Sequence, residues 1–269
     1  MTLNLDGKNL LPLSFNSEMG RSRSRKGAQV NPQNPQTIAR VFGWLFVATF
    51  VLSIPAYFIL YAPVRENPGL ITGTGADPTT SVGLGAVLEV FLIVAAVGTA
   101  VVIYPILKRQ SEIGAVSYLS ARLVENIFIA IGIVSLLAFL LMRQQGTAGT
   151  DAGLGEALVA IHDRAFLIGP GFFSGLTNGV ILGYLMYRSG LVPRGMAILG
   201  LIGGPLIMAS GIAIMFDVIE RGSTVQGIAT IPEFFWELSL GIYCIVKGFR
   251  PSPILTMDGA ARVPESPSA

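Results

Sequence analysis

Three acids interrupt otherwise apolar stretches of this sequence: Glu89, Glu125 and Glu237. A charge near the middle of a bilayer costs at least about 2.5 to 3.5 kcal/mol unless paired or hydrated, so each should face protein or water rather than lipid. Arg122 stands three residues before Glu125, on the same face of a helix, and Asn126 is adjacent. That spacing predicts a local ion pair with hydrogen-bond support. His162-Asp163-Arg164 forms a second polar group at one end of an apolar run, where snorkelling side chains need no function. Against Glu89, Glu125, Asp163 and Glu237 stand Arg122 and Arg164, which leaves two acids over. Such a surplus has to be protonated, hydrated or bound to something cationic. The chemistry this suggests is the binding or passage of a proton, a cation or a small protonatable solute. A neutral carboxyl bonded to a group such as Asn178 would meet the same requirement by packing alone. Glu233 reads differently, because Thr230-Ile-Pro-Glu233 has the form of a capping box with proline in the first turn.

Other chemistries find little support. The chain has one histidine, His162, and one cysteine, Cys244, too few for a zinc site, a pair of haem ligands or a disulfide framework. No Gly-rich phosphate loop, nucleophile elbow or His-Glu-x-x-His pair is present, so neither a metal nor a cofactor is expected. An intramembrane enzyme acting on a lipid is the alternative reading, and it requires His162 and two acids within hydrogen-bond reach. A helix-packing or regulatory protein is the third.

The elements that must hold these residues are membrane helices. Of 269 residues, 52% are hydrophobic and 13% charged, and the mean hydropathy is +0.65. That is more apolar surface than a soluble core of this size buries. Continuous apolar runs of about 20 residues match the roughly 30 Å of hydrocarbon in a bilayer and lack the alternation of a β-barrel. The expected fold is all-α, an integral membrane bundle of about six helices near 38–61, 82–107, 116–142, 158–187, 196–216 and 231–249. Residues 1–36, with the basic run Arg21-Ser-Arg23-Ser-Arg25-Lys26, read as a disordered tail in which Met19 is an alternative start. A second short tail is expected over 251–269.

Lysine and arginine resist translocation and so set orientation. Arg40, Lys108, Arg109, Arg188, Arg194, Lys247, Arg250 and the N-terminal basic run fall on one side. Arg65, Arg143 and Arg221 fall on the other, with Glu66, Asp77, Asp151, Glu156, Asp217 and Glu220. The first side, with both termini, is expected to be cytoplasmic. The net charge of +2 gives no reason to expect a nucleic-acid partner. Gly171, Gly175, Gly179 and Gly183 recur every fourth residue, as in a glycine zipper. This predicts a face for close helix packing, inside the bundle or between two copies of the chain. Pro55, Pro170 and Pro205 should kink their spans.

Several local patterns occur together in order: Thr37-Ile-Ala-Arg40-Val-Phe-Gly43, Leu88-Glu89, Tyr104-Pro-Ile-Leu-Lys108, Arg122 with Glu125, and Asp163-Arg-Ala-Phe-Leu-Ile-Gly-Pro170. Tyr187-Arg-Ser-Gly-Leu-Val-Pro-Arg194, Trp236-Glu237 and Val246-Lys-Gly-Phe249 complete the series. Over about 37–250 the chain resembles the bacterial membrane family called domain of unknown function 4386. The resemblance implies a six-span protein of the bacterial inner membrane and no assigned activity. The long basic N-terminal tail departs from the family pattern.

Overall fold

The structure is a computed structural model that describes residues 34–67, 70, 76–145 and 152–256. The expected tails therefore lie outside it except at their inner edges. Among the described residues, six helices are long and apolar enough to cross a membrane. The first begins with α1 (Pro35–Pro55), continues through a widened π-type turn (Ala56–Leu60) and ends in the short α2 (Ala62–Glu66). The second and third are α3 (Thr79–Gln110) and α4 (Glu112–Gln144). The fourth runs from α5 (Ala152–Phe166) through two π-type stretches, Leu167–Phe173 and Gly175–Leu182, into α6 (Gly183–Ser189). The fifth and sixth are α7 (Arg194–Met215) and α8 (Thr224–Val246).

Local chemistry sets the ends of these helices. Asn34 caps α1 by accepting from the Gln36 amide, with Pro35 in the first turn where no N–H is missed. Ser111 alone separates α3 from α4 and caps the latter by accepting from the Gly114 amide. Gly190, at φ 66°, closes α6 in the left-handed conformation that glycine adopts freely, and Pro193 then launches α7. Proline acts unequally on the spans. Pro55 and Pro170 coincide with π-type widening, since a ring that removes an N–H opens the local ladder. Pro205 sits within continuous α-helix, as do Pro105 and Pro232.

Each span packs against its sequence neighbour, and the sixth returns to the first, so the spans close a ring in chain order. Both chain ends of the ring meet at one end of it, hereafter the termini end. There Gln36 donates to the Phe249 carbonyl, Arg250 N–H donates to the Leu191 carbonyl, and Ser252 donates to the Ser189 carbonyl. Residues 251–256 fold back in a short turn with Ile254 buried, so the ordered chain reaches past position 250. Large side chains including Phe42, Phe46, Ile103, Tyr118, Met186 and Trp236 fill this half of the ring.

Two expectations change. The sixth span opens at Thr224, capped by Ser223, rather than near Ile231. Thr230 and Glu233 are consequently interior to α8 and form no capping box; the Thr230 hydroxyl donates instead to the Gln226 carbonyl.

Candidate functional site

Burial of ionisable side chains is concentrated at two levels of the ring. At the inner level, Arg122 grips Glu125 with one nitrogen reaching both carboxylate oxygens, at 3.0 and 2.9 Å, and its Nε donates to the Ala96 carbonyl at 3.2 Å. The guanidinium also stands over the Phe46 ring. Asn126 turns its amide back to the Arg122 carbonyl. Facing them from α8, Glu237 Oε1 accepts from Asn178 Nδ2 at 2.6 Å and from Ser174 Oγ at 2.9 Å. Asn178 is held in turn by the Tyr118 hydroxyl, and its carbonyl accepts from Trp236 Nε1. One helical turn from Glu237 lies Glu233, 3% exposed, with neither carboxylate oxygen hydrogen-bonded. All three acids lie within electrostatic reach of Arg122, and Glu237 within reach of the other two. Three carboxyls thus share one guanidinium.

Glycine makes the pocket for Glu233. A Cβ at Gly179 would stand 2.7 Å from Glu233 Oε2, and one at Gly203 would stand 2.8 Å from it. The same Cβ at Gly179 would come within 2.4 Å of the Gly204 Cα, so the fourth and fifth spans touch backbone to backbone here. Of the four glycines spaced by four, Gly175, Gly179 and Gly183 face α7 of their own chain, while Gly171 meets only its own span.

The outer level lies toward the end opposite the chain termini, hereafter the far end. Glu89 accepts from the Tyr61 hydroxyl at 3.0 Å, and the Tyr61 ring lies on Gly85, one turn away on α3. The same ring meets His162 edge to face. Asp163 pairs with Arg65 at 3.4 Å and Arg221 at 3.1 Å. Arg164 is exposed and takes no part, which corrects the expected charge balance. Chain geometry sets the separation of the levels. Ala96 is seven residues from Glu89, and Gly132, which touches His162, is seven from Glu125; at about 1.5 Å per residue each interval is about 10 Å. An apolar layer of Leu92, Ile129 and Ile133 fills the interval.

The family described as Domain of unknown function (DUF4386) matches residues 41–248. The chain belongs to that family. No curated protein and no solved structure matches it.

In this DUF4386 protein the sequence-derived candidates therefore divide. Arg122, Glu125, Asn126 and Glu237 come together, whereas Glu89, His162 and Asp163 belong to the outer level. His162 Nδ1 lies 3.7 Å from Asp163 Oδ1 without a hydrogen bond, and Glu89 is engaged by Tyr61. His162 and two acids are not within hydrogen-bond reach of one another, as the enzyme reading requires. Sequence reasoning passed over Glu233, Ser174, Tyr118, Tyr61, Arg65 and Arg221. The spacing of Glu233 and Glu237 by four residues was the available signal, since it places both on one helix face. An apolar groove of about 250 Å³ lies on α3 and α4 among Val87, Phe91 and Leu137, and no acid lines it. Among the described residues no His, Cys, Asp or Glu cluster has metal-ligand geometry.

Proposed function

We propose that this chain binds or moves a proton or a small cation at the inner level, between the second, third, fourth, fifth and sixth spans. Glu125, Glu233 and Glu237 are the receiving groups and Arg122 is the fixed counter-charge. The observation that carries the reading is Glu233, a buried carboxyl with both oxygens free of donors. Three carboxylates against one guanidinium leave two negative charges in a low-dielectric interior, a cost that protons or a bound cation remove. Ser174, Asn178 and Tyr118 supply polar groups that adapt to either state. The setting we propose is the bacterial cytoplasmic membrane, with both termini in the cytoplasm, as the distribution of lysine and arginine favours.

The test is thermal unfolding of purified protein in detergent across pH and a panel of alkali, alkaline-earth and primary-amine cations. Wild type is compared with Glu233→Gln and Glu237→Gln. A cation or pH change should raise the unfolding temperature of wild type, and both variants should lose that response. Equal responses in all three proteins would remove the basis of the proposal. Reconstituted vesicles carrying an internal pH dye then distinguish movement from binding.

A further inference from the structure

The outer level contains an arrangement that the proton or cation site does not use. Three nitrogen groups from three separate segments converge on a single atom, Asp163 Oδ1: Arg221 Nη1 at 3.1 Å, Arg65 Nε at 3.4 Å and His162 Nδ1 at 3.7 Å. None forms a hydrogen bond of proper geometry with it, and Arg65 Nε and His162 Nδ1 are buried without any other partner. One carboxylate oxygen cannot align its lone pairs with three donors at once. The guanidiniums are held from behind, with Arg65 lying 3.9 Å over the Tyr57 ring. That ring stacks on Phe166 at 4.1 Å, and Arg221 flanks both. Arg221 also donates to the Tyr57 hydroxyl at 2.8 Å, which leaves the hydroxyl proton directed elsewhere. In direct contact, two guanidiniums stand against the one Asp163 carboxylate; the other acids at this end of the ring are Glu89, engaged by Tyr61, and Glu66, Asp77, Asp217 and Glu220 on neighbouring segments. The side chains of Arg65, Arg221 and Asp163 are 21%, 20% and 34% exposed, so the cluster lies just beneath the surface, with Asp163 Oδ1, Arg65 Nε and His162 Nδ1 themselves buried.

We infer that this cluster is an oxyanion site for a phosphate group, formed by Arg65, Arg221, His162 and the Tyr57 hydroxyl, in which the Asp163 carboxylate stands in for the ligand. A phosphate presents several oxygens in a tetrahedron, so Arg65 Nε, His162 Nδ1 and the remaining N–H groups of Arg221, whose Nη1 and Nη2 already donate to the Asp163 carbonyl and the Tyr57 hydroxyl, can each meet a separate acceptor. The carboxylate swings toward solvent when the anion enters. The phosphate can belong to a lipid headgroup at the interface or to a soluble ion, since both offer the same oxygens. The inference is independent of the inner acids.

The test titrates inorganic phosphate, and separately micelles doped with phosphatidylglycerol or with an uncharged lipid, against wild type, Asp163→Asn, Arg221→Gln and Arg188→Gln. The readout is unfolding temperature. Phosphate or phosphatidylglycerol should stabilise wild type, and Asp163→Asn should respond at about tenfold lower concentration because the competing charge is gone. Arg221→Gln should lose the response. Arg188→Gln, which removes an exposed guanidinium at the termini end, should keep it. A response in the phosphatidylglycerol arm alone identifies a headgroup, and one in the phosphate arm alone a soluble anion. The inference is overturned if neither oxyanion stabilises wild type or Asp163→Asn, or if Asp163→Asn responds more weakly than wild type. Should Arg221→Gln fail to fold, the wild-type and Asp163→Asn pair decides by itself.

Discussion

The two polar clusters of this ring, one around Arg122 and one around Asp163, are charge opposites. At the inner level three carboxyls surround one guanidinium, 3% exposed, whose donors go to Glu125 and the Ala96 carbonyl. At the outer level two guanidiniums surround the Asp163 carboxylate, all three partly exposed, while the second acid there, Glu89, is buried against Tyr61. An arginine therefore has a different role in each place. In the interior it is, among the described residues, the only buried counter-charge to several acids, and its loss cannot be made good by water. Near the surface each arginine has a neighbour of the same sign, and solvent shares the work. The surplus sign also differs, and it suggests opposite ligands: a cation or proton within, an oxyanion at the rim.

Removing arginine from each level is the sharpest way to break this comparison. Arg122→Gln should lower stability by about 3 to 5 kcal/mol, because it leaves buried acids uncompensated. Arg221→Gln should cost about 1 kcal/mol or less, as for other partly exposed ion pairs. Glu125→Gln should cost less than Arg122→Gln, since two other acids remain near the guanidinium, and the double variant should recover part of the loss. Unfolding in detergent with increasing denaturant measures all four. Equal costs for Arg122→Gln and Glu125→Gln would mean a simple isolated pair and no surplus.

A smaller effect separates the glycines. Gly179→Ala places a methyl group against the Gly204 backbone and Glu233 Oε2, so overpacking should cost about 1 to 3 kcal/mol. At Gly171 the nearest atoms to a new Cβ are 3.5 and 3.6 Å away in the same span. Gly171→Ala should therefore be neutral or mildly stabilising. Thermal unfolding of the two variants side by side tests whether the close face ends at Gly175.

The same contrast explains what could be read from the sequence. Six spans followed from the lengths of the apolar runs, because hydrocarbon thickness fixes helix length whatever the tertiary packing. The Arg122–Glu125 pair followed from its spacing within one helix. Glu233 did not, because Thr230-Ile-Pro-Glu233 carries a local helix-start pattern and only the cap at Ser223, about two turns earlier, overrides it. Nor did the partners of Asp163. Arg65 closes the first span and Arg221 follows the fifth, and the closure of the ring brings them to α5, whereas the adjacent Arg164 is exposed. Long-range closure of this kind leaves no local spacing to read.

The smallest expected effect concerns a carboxylate in water, which serves as a reference for both levels. Asp77 precedes α3 at the far end and is exposed; its Oδ1 accepts from the Thr79 hydroxyl at 2.6 Å and the Thr79 amide at 3.0 Å. The hydroxyl bond, then the amide bond, hold its pKa below the ordinary carboxylate value. A group whose folded pKa is depressed adds stability that is present above its unfolded pKa of about 3.9 and lost as pH falls through the folded value. The pH dependence due to Asp77 is thus confined to acid below about pH 4, where its contribution is lost. Thr79→Ala removes the hydroxyl but keeps the amide, so the Asp77 pKa should rise part of the way to its ordinary value, as carboxyl-carbon NMR titration would show. Stability at neutral pH should hardly change. A large loss at pH 7 in Thr79→Ala would mean that the far end is held by this turn as firmly as the inner level is held by Arg122, and the distinction between a solvated rim and a charge-locked interior would fail.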